Sequence, residues 1–324
     1  MSRLTRRSVV LGGVLAPLAA RAQTWPSGPI RIVVPFPPGA SVDAVARLAS
    51  AGLQQRLGTN VIVENRPGAS GATGSAAAAK SAPDGNTWLV VFDTHAVNPT
   101  LLPNLSFDNA KDLEPVTLIA TAPYVLACHP SRPYKSLAEL LAAAREKPGS
   151  ISYGSVGSGS IGHLAMVLLG KQAGVEFVHV PYRGGAPAMN DVIAGHIDLI
   201  NGSAALITPQ VAAGTIRPVF QMGTTRLPAL PAVPTAAEGG YPGATAVAWW
   251  ALYAPAHTPK PIIERFRTAF IDSLREERAA RQLTESQQMT LVFSSPEDLR
   301  KFENEQARIW GAVVRENNIK GEEG

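Results

Sequence analysis

The sequence predicts an α/β protein of two domains with mostly parallel sheets. Three observations carry this. After Pro26, short apolar runs alternate with alanine-rich stretches of helical character. The chain has 324 residues and a single cysteine, so its core cannot rest on an internal disulfide, and its length suits about two domains. Finally, two long apolar stretches containing prolines, 115–130 and 246–259, bracket the middle of the chain. Each is too long for an ordinary strand, and a pair of crossovers between domains would explain both.

The elements follow in order. "IRIVVPF" (30–36) is a buried strand and Val42 to Leu57 its helix. "VIVEN" (61–65) is the next strand, 68–81 a glycine-rich turn into a helix, and "TWLVVF" (87–92) a third strand after the Asp84-Gly85 turn. Beyond the stretch 115–130 a second series begins with helix 136–146, strand 150–156, helix 160–173 and strand 177–182. Helix 186–195 and strands 196–202 and 216–222 complete it. The stretch 246–259 then returns the chain to the first domain, which helices 260–283 and 296–316 close.

The N-terminus reads as a cleaved secretory signal. Arg3, Arg6 and Arg7 form a basic n-region, Val9 to Leu18 an apolar h-region, and Ala20-Arg21-Ala22 a cleavage motif before Gln23. The apolar run falls well short of the ~20 residues that span a bilayer. The Arg6-Arg7 pair leaves the Sec and twin-arginine routes both open, and no cysteine offers a lipid anchor. Cleavage also changes the charge. The chain carries 29 basic and 25 acidic residues, and four arginines leave with the signal, so 29 − 4 = 25 against 25 gives a net charge of zero. That balance argues against a nucleic-acid partner.

Candidate chemistry lies in the turns. Gly157-Ser-Gly159-Ser-Ile-Gly162 matches the spacing of a dinucleotide fingerprint, a weak signal in an exported protein. The same loop suits a small anion, because Ser155, Ser158 and Ser160 bring hydroxyls and the following helix presents its positive end. The alternative is a tight turn whose serines only cap the helix. A nucleophile elbow is approached only by Gly68-Ala-Ser70-Gly-Ala72, which lacks the final glycine, and the histidines show no metal-binding spacing. His163, in the first turn of its helix, is either a pocket donor or a packing residue.

The stretch 33–47, "VVPFPPGASVDAVAR", turns sharply from strand to helix with no nucleophile, metal ligand or lysine at its tip. Gly39 frees the backbone, Ser41 or Asp43 caps the helix, and Asp43 pairs with Arg47 one turn later. Asp43 is therefore expected to hold the loop, leaving ligand contact to Gly39, Ala40 and Ser41. Such a turn binds rather than catalyses.

Together with "VENRPGASGATG", "PDGNTWL", "HAVNPTLL", "YGSVGSGSIGHLA", "HVPYRGGAPAMNDVIAGHID" and "VPTAAEGGYPG…WWALYAPAHTP", this stretch resembles the Bug/TctC family of extracytoplasmic solute receptors. These are the binding components of tripartite tricarboxylate transporters. Where members usually carry a second glycine and a threonine, this chain has Ala40 and Val42. The resemblance implies a two-lobed, type II-like periplasmic binding fold. Its domains would be 23–122 with 247–324, and 123–246, joined by two crossing strands. It also implies a monomer without cofactor, metal or catalytic residues. Such a receptor would bind a small organic acid and serve the small and large integral membrane subunits of a transporter. Carried over by position, the site residues are Phe36, Gly39, Ala40, Ser41, Asp43, Thr94 and His95 from the first lobe. The second offers Ser155, Gly157, Ser158, Gly159, Ser160, His163, Arg183, Gly184, Asn201 and Ser203. A sensor or scaffold of the same fold, or less well an exported hydrolase, are the competing readings.

Overall fold

The computed structural model describes residues 25–102 and 104–321. The expected signal and its cleavage before Gln23 lie outside these residues.

The first half of the chain runs β1 (Ile30–Val34), α1 (Ser41–Leu57), β2 (Val61–Asn65), α2 (Ala72–Ala79) and β3 (Thr87–Phe92). Helices α3 (Thr94–Leu101) and α4 (Asn109–Asp112) then lead into β4 (Leu113–Cys128). The second half runs α5 (Leu137–Glu146), β5 (Ser152–Ser155), α6 (Ile161–Ala173), β6 (Val178–Pro181) and α7 (Gly185–Ile193). It closes with β7 (Leu199–Ser203), α8 (Ala204–Ala212) and β8 (Arg217–Gln221). The chain returns through β9 (Val247–Pro255), α9 (Lys260–Leu274), α10 (Glu277–Arg281) and β10 (Thr290–Leu291) to α11 (Pro296–Glu316).

Strand pairing explains the two unusual apolar stretches. The order across the sheet is β2-β1-β3-β9-β4-β7-β5-β6. Strands β2, β1 and β3 are parallel, as are β7, β5 and β6, while β9 and β4 run antiparallel between the two sets. The stretch judged too long for an ordinary strand is in fact one strand of 16 residues. Its residues up to Pro123 pair with β9, and from Tyr124 onward it pairs with β7 and, one residue later, β8. Proline lacks the N–H a continuous ladder needs, and both prolines sit where the ladder breaks. Pro115 is at a register shift, and Pro123 is where the partner changes.

Three helices escaped the sequence reading. Helix α3 carries Pro99 and α8 carries Pro209, residues that argue against a helix interior, and α4 is only four residues long. The helix expected over 260–283 is broken after Leu274 and ends in a π turn, Gln282–Ser286. No described helix is long and apolar enough to cross a membrane.

Candidate functional site

Parallel strands deliver helix N-termini to one edge of a sheet, and here both halves face a common crevice with that edge. Three helices begin there. The first-turn N–H groups of a helix have no partner within it and need a cap, water or ligand. Elsewhere some caps are filled, by Asp108 on α4, Ser136 on α5, Ser160 on α6 and Ser295 on α11, while α2, α3, α9 and α10 have no side-chain cap bond. At the crevice, α1, α7 and α8 begin at Ala40, Gly184 and Ser203 with no side-chain cap bond. Residues from all three N-termini line one small cavity of about 30 Å³, closed by Phe36, Phe92 and Val156. A water-sized group needs ~10–15 Å³, so the space accepts about two oxygens. No charged residue lines it.

The 36–43 loop is held in place by hydrogen bonds centred on Asp43. Gly39 lies at φ 85° and donates its N–H to Asp43 Oδ2 at 3.0 Å. Arg47 Nε donates to the same oxygen at 2.9 Å, and Asn65 Nδ2 donates to Asp43 Oδ1 at 2.9 Å and to the Phe36 carbonyl at 3.0 Å. Burial works against the Asp43 charge, but the hydrogen bonds from Arg47, the Gly39 amide and Asn65 outweigh it and hold the carboxyl below its usual range. Asp43 thus holds the loop and faces away from the cavity.

Neither Ser41 nor Asp43 caps α1 in the expected way. The Ser41 hydroxyl instead accepts a bond from Trp250 Nε1 at 3.1 Å. An indole can only donate, so this contact leaves the Ser41 proton free for an acceptor in the cavity it lines. Trp250→Phe should keep the packing against Phe92 (ring centroids 5.3 Å) while freeing the hydroxyl to rotate. Losing one oriented neutral hydrogen bond costs about 0.5–1.5 kcal/mol. Calorimetry should show affinity lowered about twofold to tenfold; because Trp250 is fully buried, the smaller ring also leaves a void, and the melting temperature should fall as well.

The 155–163 loop differs from expectation. Ser160 is fully buried and caps α6 through the His163 N–H at 3.3 Å. Ser155 is also buried. Its hydroxyl contacts His179 Nε2 at 2.7 Å and the Gly157 carbonyl at 3.0 Å. Among the described residues, no carboxylate pairs with His179, so the third member of a hydrolytic triad is not found beside the pair. His163 accepts the Gly159 N–H on Nδ1 at 3.0 Å and stacks on His179 with ring centroids 3.8 Å apart. Burial lowers His163 to about 4 and His179 to about 3, so both rings are neutral near pH 7. These hydroxyls and rings shape the loop from within. Ser158 remains half-buried, and its carbonyl accepts a bond from Ser70 Oγ at 3.3 Å across the crevice.

Ser70 belongs to a turn in which Gly68, Ala69, Ser70 and Gly71 all have positive φ. That conformation is costly for Ala69 and Ser70 and needs external support. Thr94 Oγ1 and Asn98 Nδ2 supply it by donating to the Ser70 carbonyl at 2.8 and 3.2 Å. Thr94 is therefore buried beneath the crevice rather than at its surface. His95 is not brought to the crevice at all: its ring packs on Tyr253 at 4.8 Å and lies 3.6 Å from Glu303 of α11. Asn201 is buried and donates to the Gly162 carbonyl at 2.7 Å, tying α6 to β7. Gly184 and Ser203 line the cavity, and Gly157 and Arg183 line the adjoining chamber. Sequence reasoning missed Gly185, Ala186, Phe92, Val156 and Leu206. The small-residue run after Gly184 was the available signal.

Two α/β halves sharing crossing strands, with helix N-termini aimed into the crevice between them, define a solute-binding receptor. Comparison with known proteins gives the family. The model for the "Tripartite tricarboxylate transporter family receptor" matches residues 45–319, and the chain belongs to that family of receptors, which are not enzymes. It is 35% identical to Protein BugT of Bordetella pertussis over 327 residues, covering 98% of this chain and 99% of that one. Among solved structures it is similar to R. palustris Rpa4515 with adipate, at 32% identity and a TM-score of 0.86, covering 91% of this chain and 99% of that one. MatC from Rhodopseudomonas palustris with bound malate is similar at 29% identity and a TM-score of 0.83, covering 90% and 100%.

Proposed function

We propose that the protein captures a small organic carboxylate in the crevice and delivers it to the membrane subunits of a tripartite tricarboxylate-type transporter. The observation that carries this reading is the meeting of three uncapped helix N-termini on one uncharged cavity. Each contributes unpaired N–H groups and roughly half a positive charge, a combination that suits an anion and offers nothing to a cation. The adipate and malate in the two similar structures are small carboxylates, in keeping with this chemistry.

In this reading the lobes are 23–122 with 247–324, and 123–246, and they close by a hinge motion in β4 and β9. The change of pairing partner at Pro123/Tyr124 supports a hinge in β4 there. The ligand biases closure because it touches both lobes only when they are shut. The receptor works outside the cytoplasm as a monomer, and its mature chain begins at Gln23. Mass spectrometry of the exported protein should find Gln23 first, and a chain still carrying residues 1–22 would contradict this.

The test is a thermal-shift screen of the mature protein against organic acids and their neutral amides. An acid present at 100 times its dissociation constant should stabilise the fold by about 2.7 kcal/mol, and the matching amide should do far less. A panel of carboxylates without effect would leave the fold a receptor for some other solute, or a sensor that binds none.

A further inference from the structure

The two halves meet across the crevice through side chains as well as through the crossing strands. Ser70 Oγ of the first half donates to the Ser158 carbonyl of the second, and Pro37 lies against Gly184. Leu101, at the end of α3, lies against Gly159 in the loop before α6. This last contact is the tightest. A methyl group on Gly159 would stand 2.3 Å from Leu101 Cδ2, where no carbon can sit, whereas one on Gly184 would stand 3.5 Å from Pro37 Cδ, an ordinary contact. Leu101 is buried, and the missing side chain at 159 is what makes room for it. The notch is also fixed. Gly159 lies at φ 74°, a conformation that favours glycine, and its N–H donates to Nδ1 of the buried His163 at 3.0 Å. Neither Leu101 nor Gly159 lines the cavity at the three helix N-termini or the chamber beside the 68–71 turn.

We propose that Leu101 seated on Gly159 is a latch between the halves, and that it sets how tightly a solute is held although neither residue touches the solute. The proposal rests on the hinge reading above and adds the contact that biases it. Separating the halves exposes the leucine to water, so its burial favours the shut form whatever occupies the crevice. A solute that contacts both halves only in the shut form then meets a protein already shifted toward that form. Its apparent affinity rises with the shut fraction. Leu101 and Gly159 are thus positioning residues for binding, acting through the distance between the halves.

The test combines small-angle X-ray scattering of the protein without added acid and calorimetry with adipate and malate, the acids bound in the two similar structures. Leu101→Ala should raise the radius of gyration and weaken acid binding about threefold to tenfold. Leu101→Met, of similar volume, should stay near wild type in both. Gly159→Ala should open the halves further, because its methyl group and Leu101 cannot share the notch. In the Leu101→Ala background the same glycine change should add little, since the leucine it collides with is gone. The backbone strain of an alanine at φ 74° is common to both backgrounds and cancels in that comparison. Equal effects of Gly159→Ala in the two backgrounds would overturn the latch and leave the hinge standing. A radius of gyration that neither Leu101→Ala nor Gly159→Ala changes would remove both. If neither acid binds, the scattering comparison still decides, and the failure counts against the carboxylate reading instead.

Discussion

Ser203→Asp should abolish ligand binding while leaving the free protein as stable as wild type or more so. Ser203 occupies the N-cap of α8 with φ −60° and ψ 152°, the extended geometry of a capping residue, yet its side chain makes no cap bond. An aspartate there can accept the N–H groups two and three residues on, and a good cap contributes about 0.5–2 kcal/mol. The same carboxylate would stand in the cavity that the ligand needs. Two unit charges ~4 Å apart repel by about 4 kcal/mol at an effective dielectric of ~20, equivalent to roughly a thousandfold in affinity. Ser203→Asn supplies a similar cap without the charge and should retain far more binding. Calorimetry on both variants, with their melting temperatures, checks the pair. Near-wild-type affinity in Ser203→Asp would show that no anion rests on α8.

Acid should destabilise the fold from about pH 6.5 downward, and the buried histidines set the direction. Burial lowers His163 to about 4 and His179 to about 3, with the neighbouring His163 adding to the effect on His179. His95 falls to about 3, again through burial, with Arg300 contributing. Below the ordinary value of 6.5 the unfolded chain takes up protons that the folded chain refuses. The stability is therefore complete above that pH and is lost as pH falls toward the folded values, at about 1.4 kcal/mol per unit for each histidine. Asp93 and Glu303 oppose this, since burial raises both carboxyls and the folded state then holds their protons more tightly. The His163 share can be isolated with His163→Asn, whose amide oxygen can still accept the Gly159 N–H. Between pH 6.5 and 4.5 denaturant unfolding should lose about 2 kcal/mol more in wild type than in the variant. Identical pH slopes would contradict the buried, neutral assignment of His163.

The alternation of strands and helices was legible because strands such as β1 and β3 are short apolar runs and helices such as α1, α2 and α5 are alanine-rich. Helices α3 and α8 were not, since Pro99 and Pro209 carry a local signal against helix that packing overrides. At the site, "PFPPGAS" was readable as a stiff strand-to-helix turn, and its Phe36, Ala40 and Ser41 line the small cavity. The serines at 155 and 160 were over-read. Sequence shows that a hydroxyl is present but not what it bonds, and here the partners are His179, Gly157 and the His163 amide. His95 was misplaced for a geometric reason. It follows β3 directly, yet the rotation of α3 carries its ring to Tyr253 and α11. Asp43 is the opposite case: its i,i+4 spacing to Arg47 assigned it to loop support, and the bonds to Gly39, Arg47 and Asn65 agree.

The central claim is that the carboxylate rests where α1, α7 and α8 begin. A crystal structure of the protein with a bound organic acid tests it most directly. The account predicts carboxylate oxygens within hydrogen-bond distance of the Ser41 hydroxyl and of first-turn amides of α7 and α8, in the cavity walled by Phe36, Phe92 and Val156. A carboxylate seated instead at the N-terminus of α6, whose cap is already filled by Ser160, would contradict it.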